Sequence, residues 1–133
     1  MICRLCPRQC GALRTETEGR GFCAMPTLPV AARAMLHQWE EPCISGSRGS
    51  GAVFFSGCVL RCVFCQNGAI SRGGLGKQID VPRLREIFRE LIGQGAHNIN
   101  LVSPTPFAHA IREALAEPLP VPVVWNTGGY ERV

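Results

Sequence analysis

This 133-residue chain has no apolar run approaching the roughly 20 residues that a membrane-crossing helix needs, which excludes a transmembrane helix. It has no block of like charge either. Its 14 Arg and Lys exceed its 10 Asp and Glu, but they are scattered, so a nucleic-acid partner is not indicated. No apolar leader stretch follows Met1-Ile-Cys3, and without one nothing routes the chain to an oxidising compartment. A cytoplasmic location with reduced thiols is expected. A phosphate loop is missing as well. Gly73-Gly-Leu-Gly-Lys77 continues with Gln78 where a P-loop needs Ser or Thr for Mg²⁺, and Gly46 to Gly51 precedes a strand instead of following one. Both stretches are expected to be flexible connectors.

What the chain does have is cysteine, eight in all. Cys58, Cys62 and Cys65 lie within eight residues, directly after the apolar run Ala52-Val-Phe-Phe55. Three thiolates on one tight loop are soft ligands, suited to an iron–sulfur cluster or to zinc. The number three carries information, because a closed zinc site or a plain electron-transfer cluster takes four protein ligands. Three leave one metal position open, which is how metal sites acquire chemistry. The expected compartment disfavours disulfides. Half of a zinc site completed elsewhere stays open beside the cluster.

At 46% hydrophobic and 18% charged, the chain has the composition and length of one small globular domain. It divides in two. Residues 1–50 are rich in cysteine, arginine and glycine, with a weak helical stretch at Val30-Ala-Ala-Arg-Ala-Met-Leu36, and they end in a Gly46–Gly51 loop. Residues 51–133 alternate strand and helix. Ala52–Phe55 reads as a buried strand. Asp80 is placed to cap a helix with Pro82 in its first turn, and Leu84, Ile87, Phe88, Leu91 and Ile92 form one apolar stripe. Asn98–Val102 reads as the second strand. A second helix starts at Thr105-Pro106 with a stripe of Phe107, Ala110, Ile111, Ala114 and Leu115, and Val121–Trp125 makes a third strand. Alternation of this kind implies an α/β fold with parallel strands. Ligands then collect beyond the carboxyl ends of those strands, where the cysteine loop, Ser103-Pro-Thr105 and Asn126-Thr-Gly-Gly129 all fall. The chain stops at Val133, before a helix covers the third strand. Because parallel strands need both faces covered, it is expected to be the front part of a larger, truncated domain and inactive alone.

The segment Phe54-Phe-Ser-Gly-Cys58-Val-Leu-Arg-Cys62-Val-Phe-Cys65-Gln-Asn67 resembles the signature of radical S-adenosylmethionine enzymes, closest to the pyruvate formate-lyase activating-enzyme-related branch. Phe64 stands in the aromatic position before the last cysteine. The opening Cys3-Arg-Leu-Cys6-Pro-Arg-Gln-Cys10-Gly and Gly21-Phe-Cys23 resemble the N-terminal extension of uncharacterised members of that branch. The resemblance implies the N-terminal part of a partial (β/α) radical-SAM barrel carrying a 4Fe–4S cluster on Cys58, Cys62 and Cys65. The free iron would bind S-adenosylmethionine, and reductive cleavage would give a 5′-deoxyadenosyl radical that abstracts hydrogen from a substrate. Implied partners are an electron donor such as flavodoxin or ferredoxin and an unknown substrate, with a glycyl-radical-enzyme-type protein as candidate. The main chain near Phe64 would contact adenine. The family's Ser-Gly-Gly-Glu-type motif is replaced here by Val102-Ser-Pro-Thr-Pro106, so Thr105 is a candidate for the methionyl amine as well as for a helix N-cap. Asn126 is a candidate cofactor contact from the third strand.

Cys3, Cys6, Cys10 and Cys23, separated by two, three and twelve residues, form a possible second metal site, for zinc or for a second iron–sulfur cluster. Cys43 reads as a buried small hydrophobe. His37, His97 and His109 share no ligand spacing, and His109, off the apolar stripe of its helix, is expected to face solvent. The rival reading of the whole chain is a non-enzymatic zinc or ferredoxin-like iron–sulfur module.

Overall fold

Leu84, Ile87, Phe88 and Leu91 recur at helical spacing because they form the buried face of the longest helix, which the computed structural model, describing residues 1–132, places at Val81–Gly93. The Asp80 carboxylate accepts the Arg83 backbone N–H at 2.8 Å, and Pro82 sits in the first turn, where no amide donor is needed. This helix is the third in chain order (α3), after the short α1 (Pro42–Ser45) and α2 (Gly68–Gly73). The expected second helix is split. Thr105–Phe107 forms a single 3₁₀ turn and Ala108–Ala114 continues it as α4.

Five strands make one sheet: β1 (Val30–His37), β2 (Ser50–Phe55), β3 (Lys77–Gln78), β4 (Ile99–Val102) and β5 (Val123–Asn126), in the order β3-β1-β2-β4-β5. The parallel part is the expected one. β2, β4 and β5 run side by side, with Phe54 opposite Val102 and Val102 opposite Asn126.

Two expectations are corrected here. Val30–Leu36 is a strand, not a helix. Its alanines favour helix locally, but pairing along β2 and burial against the core outweigh that weak preference. Accordingly the sheet is mixed, because β1 is antiparallel to β2 and β3 to β1. Ser50 and Gly51, assigned to the glycine loop, are the buried first residues of β2.

One face of the sheet is dry. Val53 and Phe55 of β2 and Ile99 and Leu101 of β4 meet Leu84, Phe88 and Leu91 from α3 and Ile111 and Ala114 from α4. Phe55 and Phe107 pack with ring centroids 5.7 Å apart. By strand alternation the opposite face carries Ala52, Phe54, Asn100, Val102 and Asn126. Among the described residues no helix is long and apolar enough to cross a membrane.

Phe88 is fully buried in that core. Phe88→Ala is expected to cost about 3–5 kcal/mol and Asp80→Ala about 1 kcal/mol, read as shifts in urea unfolding midpoint at constant slope.

Candidate metal and cofactor site

The parallel register brings three loops to one edge of the sheet. Beyond β2 come Ser56, Gly57 and the cysteine loop; beyond β4 comes Ser103–Thr105; beyond β5 come Thr127 to Glu131. They touch. A β-carbon on Gly128 would lie 2.2 Å from Leu60 Cδ1, so the loop after β5 packs directly on the cysteine loop. Gly57 turns the chain out of β2 at φ +79°, and a β-carbon there would collide with Met25 Cγ at 2.3 Å.

Cys58, Cys62 and Cys65 are each half-buried and carry free thiols. Cys65 N–H donates to the Cys62 carbonyl at 3.2 Å, closing a tight turn between them. The Leu60 N–H points at Cys58 Sγ at 3.4 Å and the Ser71 hydroxyl of α2 at Cys65 Sγ at 3.7 Å. Val63 and Phe64 project into solvent at the tip. In this arrangement no three His, Cys, Asp or Glu side chains among the described residues stand close enough to hold an ion unaided. The soft donor set, its exposure and its place at the strand ends nonetheless fit an iron–sulfur cluster.

Beside the loop lies an open groove of about 640 Å³, a size that accommodates a nucleoside-bearing ligand. Gln66, Asn67, Phe54, Val102 and Asn126 line it from the parallel strands and the cysteine loop, and Arg33 and His37 line it from β1. Asn126, the candidate cofactor contact, lines this groove. Thr105 does not line it. It is buried, donates its hydroxyl to Glu131 Oε1 at 2.5 Å and makes no capping bond, because Pro104 precedes the 3₁₀ turn. Thr127 donates to the same carboxylate oxygen. Asn100, fully buried on the groove side of β4, has no partner for either end of its amide.

Cys3, Cys6, Cys10 and Cys23 line a second, much smaller cavity, closed by Arg14, Val59, Thr105 and Pro106. The Ala12 backbone holds the Cys10 thiol below its ordinary value, whereas burial pushes Cys23 up. Cys43, expected inside, is exposed on the short helix α1. His109, expected in solvent, is half-buried; desolvation first, then the Arg14 charge, lower its pKa. Residues that sequence reasoning passed over are Arg8, Arg14, Glu131 and the groove pair on β1. Arg33, Met35 and His37 repeat at every second position, the spacing of a strand, and that alternation was the available signal.

The residues 52–130 match the model of the Radical SAM superfamily. The chain belongs to the radical SAM superfamily. It is 34% identical over 137 aligned positions, covering 96% of its own length, to an uncharacterized protein of Methanocaldococcus jannaschii. It spans 39% of that relative's length. No solved structure matches the chain. The cysteine loop, the groove and the strand ends lie inside the matched residues, and Cys3 to Cys23 lie before them.

Two outcomes are expected. Gly57→Ala forces the cysteine loop away from Met25 and should lower iron uptake on anaerobic reconstitution while far-UV circular dichroism stays native. For His109 the sign follows from a folded pKa held below 6.5. Above the unfolded value both states are neutral. Below it the unfolded chain takes up a proton that the folded one resists, so stability falls as pH drops through that window. Melting temperatures between about pH 7.5 and 5.5 should decline less steeply in His109→Gln than in the wild type.

Proposed function

We propose that these residues form the cluster-binding front of a radical S-adenosylmethionine enzyme, with Cys58, Cys62 and Cys65 as the cluster ligands. The observation that carries this is the three-thiol loop at the carboxyl end of β2, in register with Asn126 at the edge of the groove. Three chain thiolates leave one iron of a 4Fe–4S cluster without a protein ligand, the position suited to the amino and carboxylate groups of S-adenosylmethionine. Held by these three thiolates, the group would supply one-electron reductive chemistry directed at hydrogen abstraction from substrate, with a flavodoxin- or ferredoxin-type protein as electron donor.

The protein's share is binding, orientation and exclusion of water. The exposed Phe64 loop offers its main chain to the adenine. Gln66, Asn67 and Asn126 offer amides along the groove, and Arg33, His37 and Glu40 add polar groups on the β1 side. The Ser-Gly-Gly-Glu-type acid of related enzymes has no counterpart in Val102–Pro106. Glu131, which accepts from Thr105 and Thr127, sets a carboxylate against that segment from beyond β5. The likeness of the cysteine loop to activating enzymes favours a glycyl-radical-enzyme-type protein as hydrogen donor. Because the chain spans 39% of its relative, the activity is assigned to the whole enzyme.

Anaerobic reconstitution with iron and sulfide tests the proposal. About four iron and four labile sulfide per chain are expected at this loop, with a reduced-state electron paramagnetic resonance signal that changes when S-adenosylmethionine is added. Cys62→Ala should lose most of that iron. Zinc without sulfide at Cys58, Cys62 and Cys65 would sink the proposal, and so would a cluster signal indifferent to S-adenosylmethionine.

A further inference from the structure

The N-terminal segment packs four cysteines and a buried guanidinium around one cavity, outside the residues that define the family. Cys3 and Cys6 are buried, Cys23 is half-buried, and Cys10 is exposed at the rim. Turns hold them there. Cys3 N–H donates to the Ala12 carbonyl at 2.9 Å, Gly11 N–H to the Cys3 carbonyl at 3.1 Å, and Gln9 N–H to the Cys6 carbonyl at 3.0 Å. Gln9 and Ala24 both adopt left-handed backbone, at φ +40° and +57°, one directly before Cys10 and the other directly after Cys23. Such conformations are strained in residues other than glycine and persist where the surroundings impose them.

Arg14 supplies the independent observation. It is 1% exposed, yet among the described residues no carboxylate pairs with it. Its guanidinium donates to the carbonyls of Met25 at 2.9 Å and Pro106 at 2.7 Å, to that of Pro26, and to Cys3 Sγ at 3.5 Å. A buried charge is normally paired, and carbonyl dipoles alone leave this one without a counter-ion. The missing negative charge belongs in the cavity that Arg14 borders.

We propose that Cys3, Cys6, Cys10 and Cys23 bind a single zinc ion as four thiolates, with the buried Arg14 guanidinium neutralising part of the resulting charge. Zn²⁺ displaces four thiol protons to solvent and leaves a tetrahedral site of net charge −2, which Arg14 and the neighbouring Arg8 face. A single ion is favoured over an iron–sulfur cubane because the cavity measures about 10 Å³, room for one water-sized body. The thiols stand around it without yet converging, so binding draws them inward and adds directly to folding stability.

Metal analysis of the 133-residue chain with Cys58, Cys62 and Cys65 all changed to Ala tests the assignment free of the family cluster. One zinc per chain without labile sulfide is expected, and cobalt(II) in its place should show the visible bands of tetrahedral thiolate coordination. Cys10→Ser, at the exposed rim, should weaken zinc binding at least tenfold in competition with a chromophoric chelator, whereas Cys43→Ser should leave it unchanged. Alkylation of the wild-type chain, mapped by peptide mass spectrometry, gives the answer without variants: added zinc should shield these four thiols and leave Cys43 reactive. Iron with sulfide in the triple variant, absence of bound zinc, or zinc that fails to shield the four thiols would overturn the assignment.

Discussion

The in-register parallel pairing of β2, β4 and β5 is the constraint on which the rest of the structure depends. Because Phe54, Val102 and Asn126 stand level across three strands, their carboxyl ends finish together, and each following loop starts from the same edge. A one-residue slip in that register would turn Val53, Phe55, Ile99 and Leu101 away from α3 and α4, so burial of the dry face enforces it. The hydrophobic effect acting on one face therefore sets the position of the thiols at the edge. The placement of Cys58, Cys62 and Cys65 and the packing at Phe88 are two consequences of the same pairing.

The antiparallel β1 changes what that edge can do. It adds a wall to the open face of β2 and contributes Arg33 and His37 to the groove, residues that no parallel strand supplies. With Asn126 opposite, the groove is polar on both sides and floored by Phe54 and Val102. Such a lining suits a ligand with an aromatic base and charged ends better than a purely apolar one.

Much of this was legible in the sequence wherever one period dominated. The helical stripe of α3, its Asp80 cap and the three parallel strands each follow from local pattern, and the spacing of Cys58, Cys62 and Cys65 singles out a candidate site by itself. What escaped was decided at long range. Val30–His37 is alanine-rich and reads as weak helix, and only pairing along the whole of β2 makes it a strand. His109 sits off the apolar stripe of its helix, yet the N-terminal segment, 80 residues or more away in sequence, covers it through Arg14 and Thr27. Thr105 looked like a cap or a cofactor contact, and a carboxylate from beyond β5 claims its hydroxyl instead. No local window contains those partners.

The two cysteine groups are also one mechanical unit. Arg8, between Cys6 and Cys10, donates from Nε to the carbonyl of Val59, between Cys58 and Cys62, at 2.5 Å, while its guanidinium lies 3.5 Å from the centre of the Phe22 ring beside Cys23. Arg61, next to Cys62, approaches the same ring at 5.3 Å. The four non-glycine residues with left-handed backbone among those described are Gln9, Ala24, Arg61 and Ser103. Three flank a cysteine and the fourth opens the loop after β4. Strain of this kind has to be opposed by contacts, and Arg8 and Arg61, both against Phe22, supply some of them across the junction of the N-terminal segment and the sheet edge. An N-terminal knot closed by the proposed zinc would hold Val59, and through it the cysteine loop, in place. Position at the strand ends gives the loop access to a ligand, the N-terminal segment braces it through Arg8 and Val59, and a precise binding site on a loop needs both.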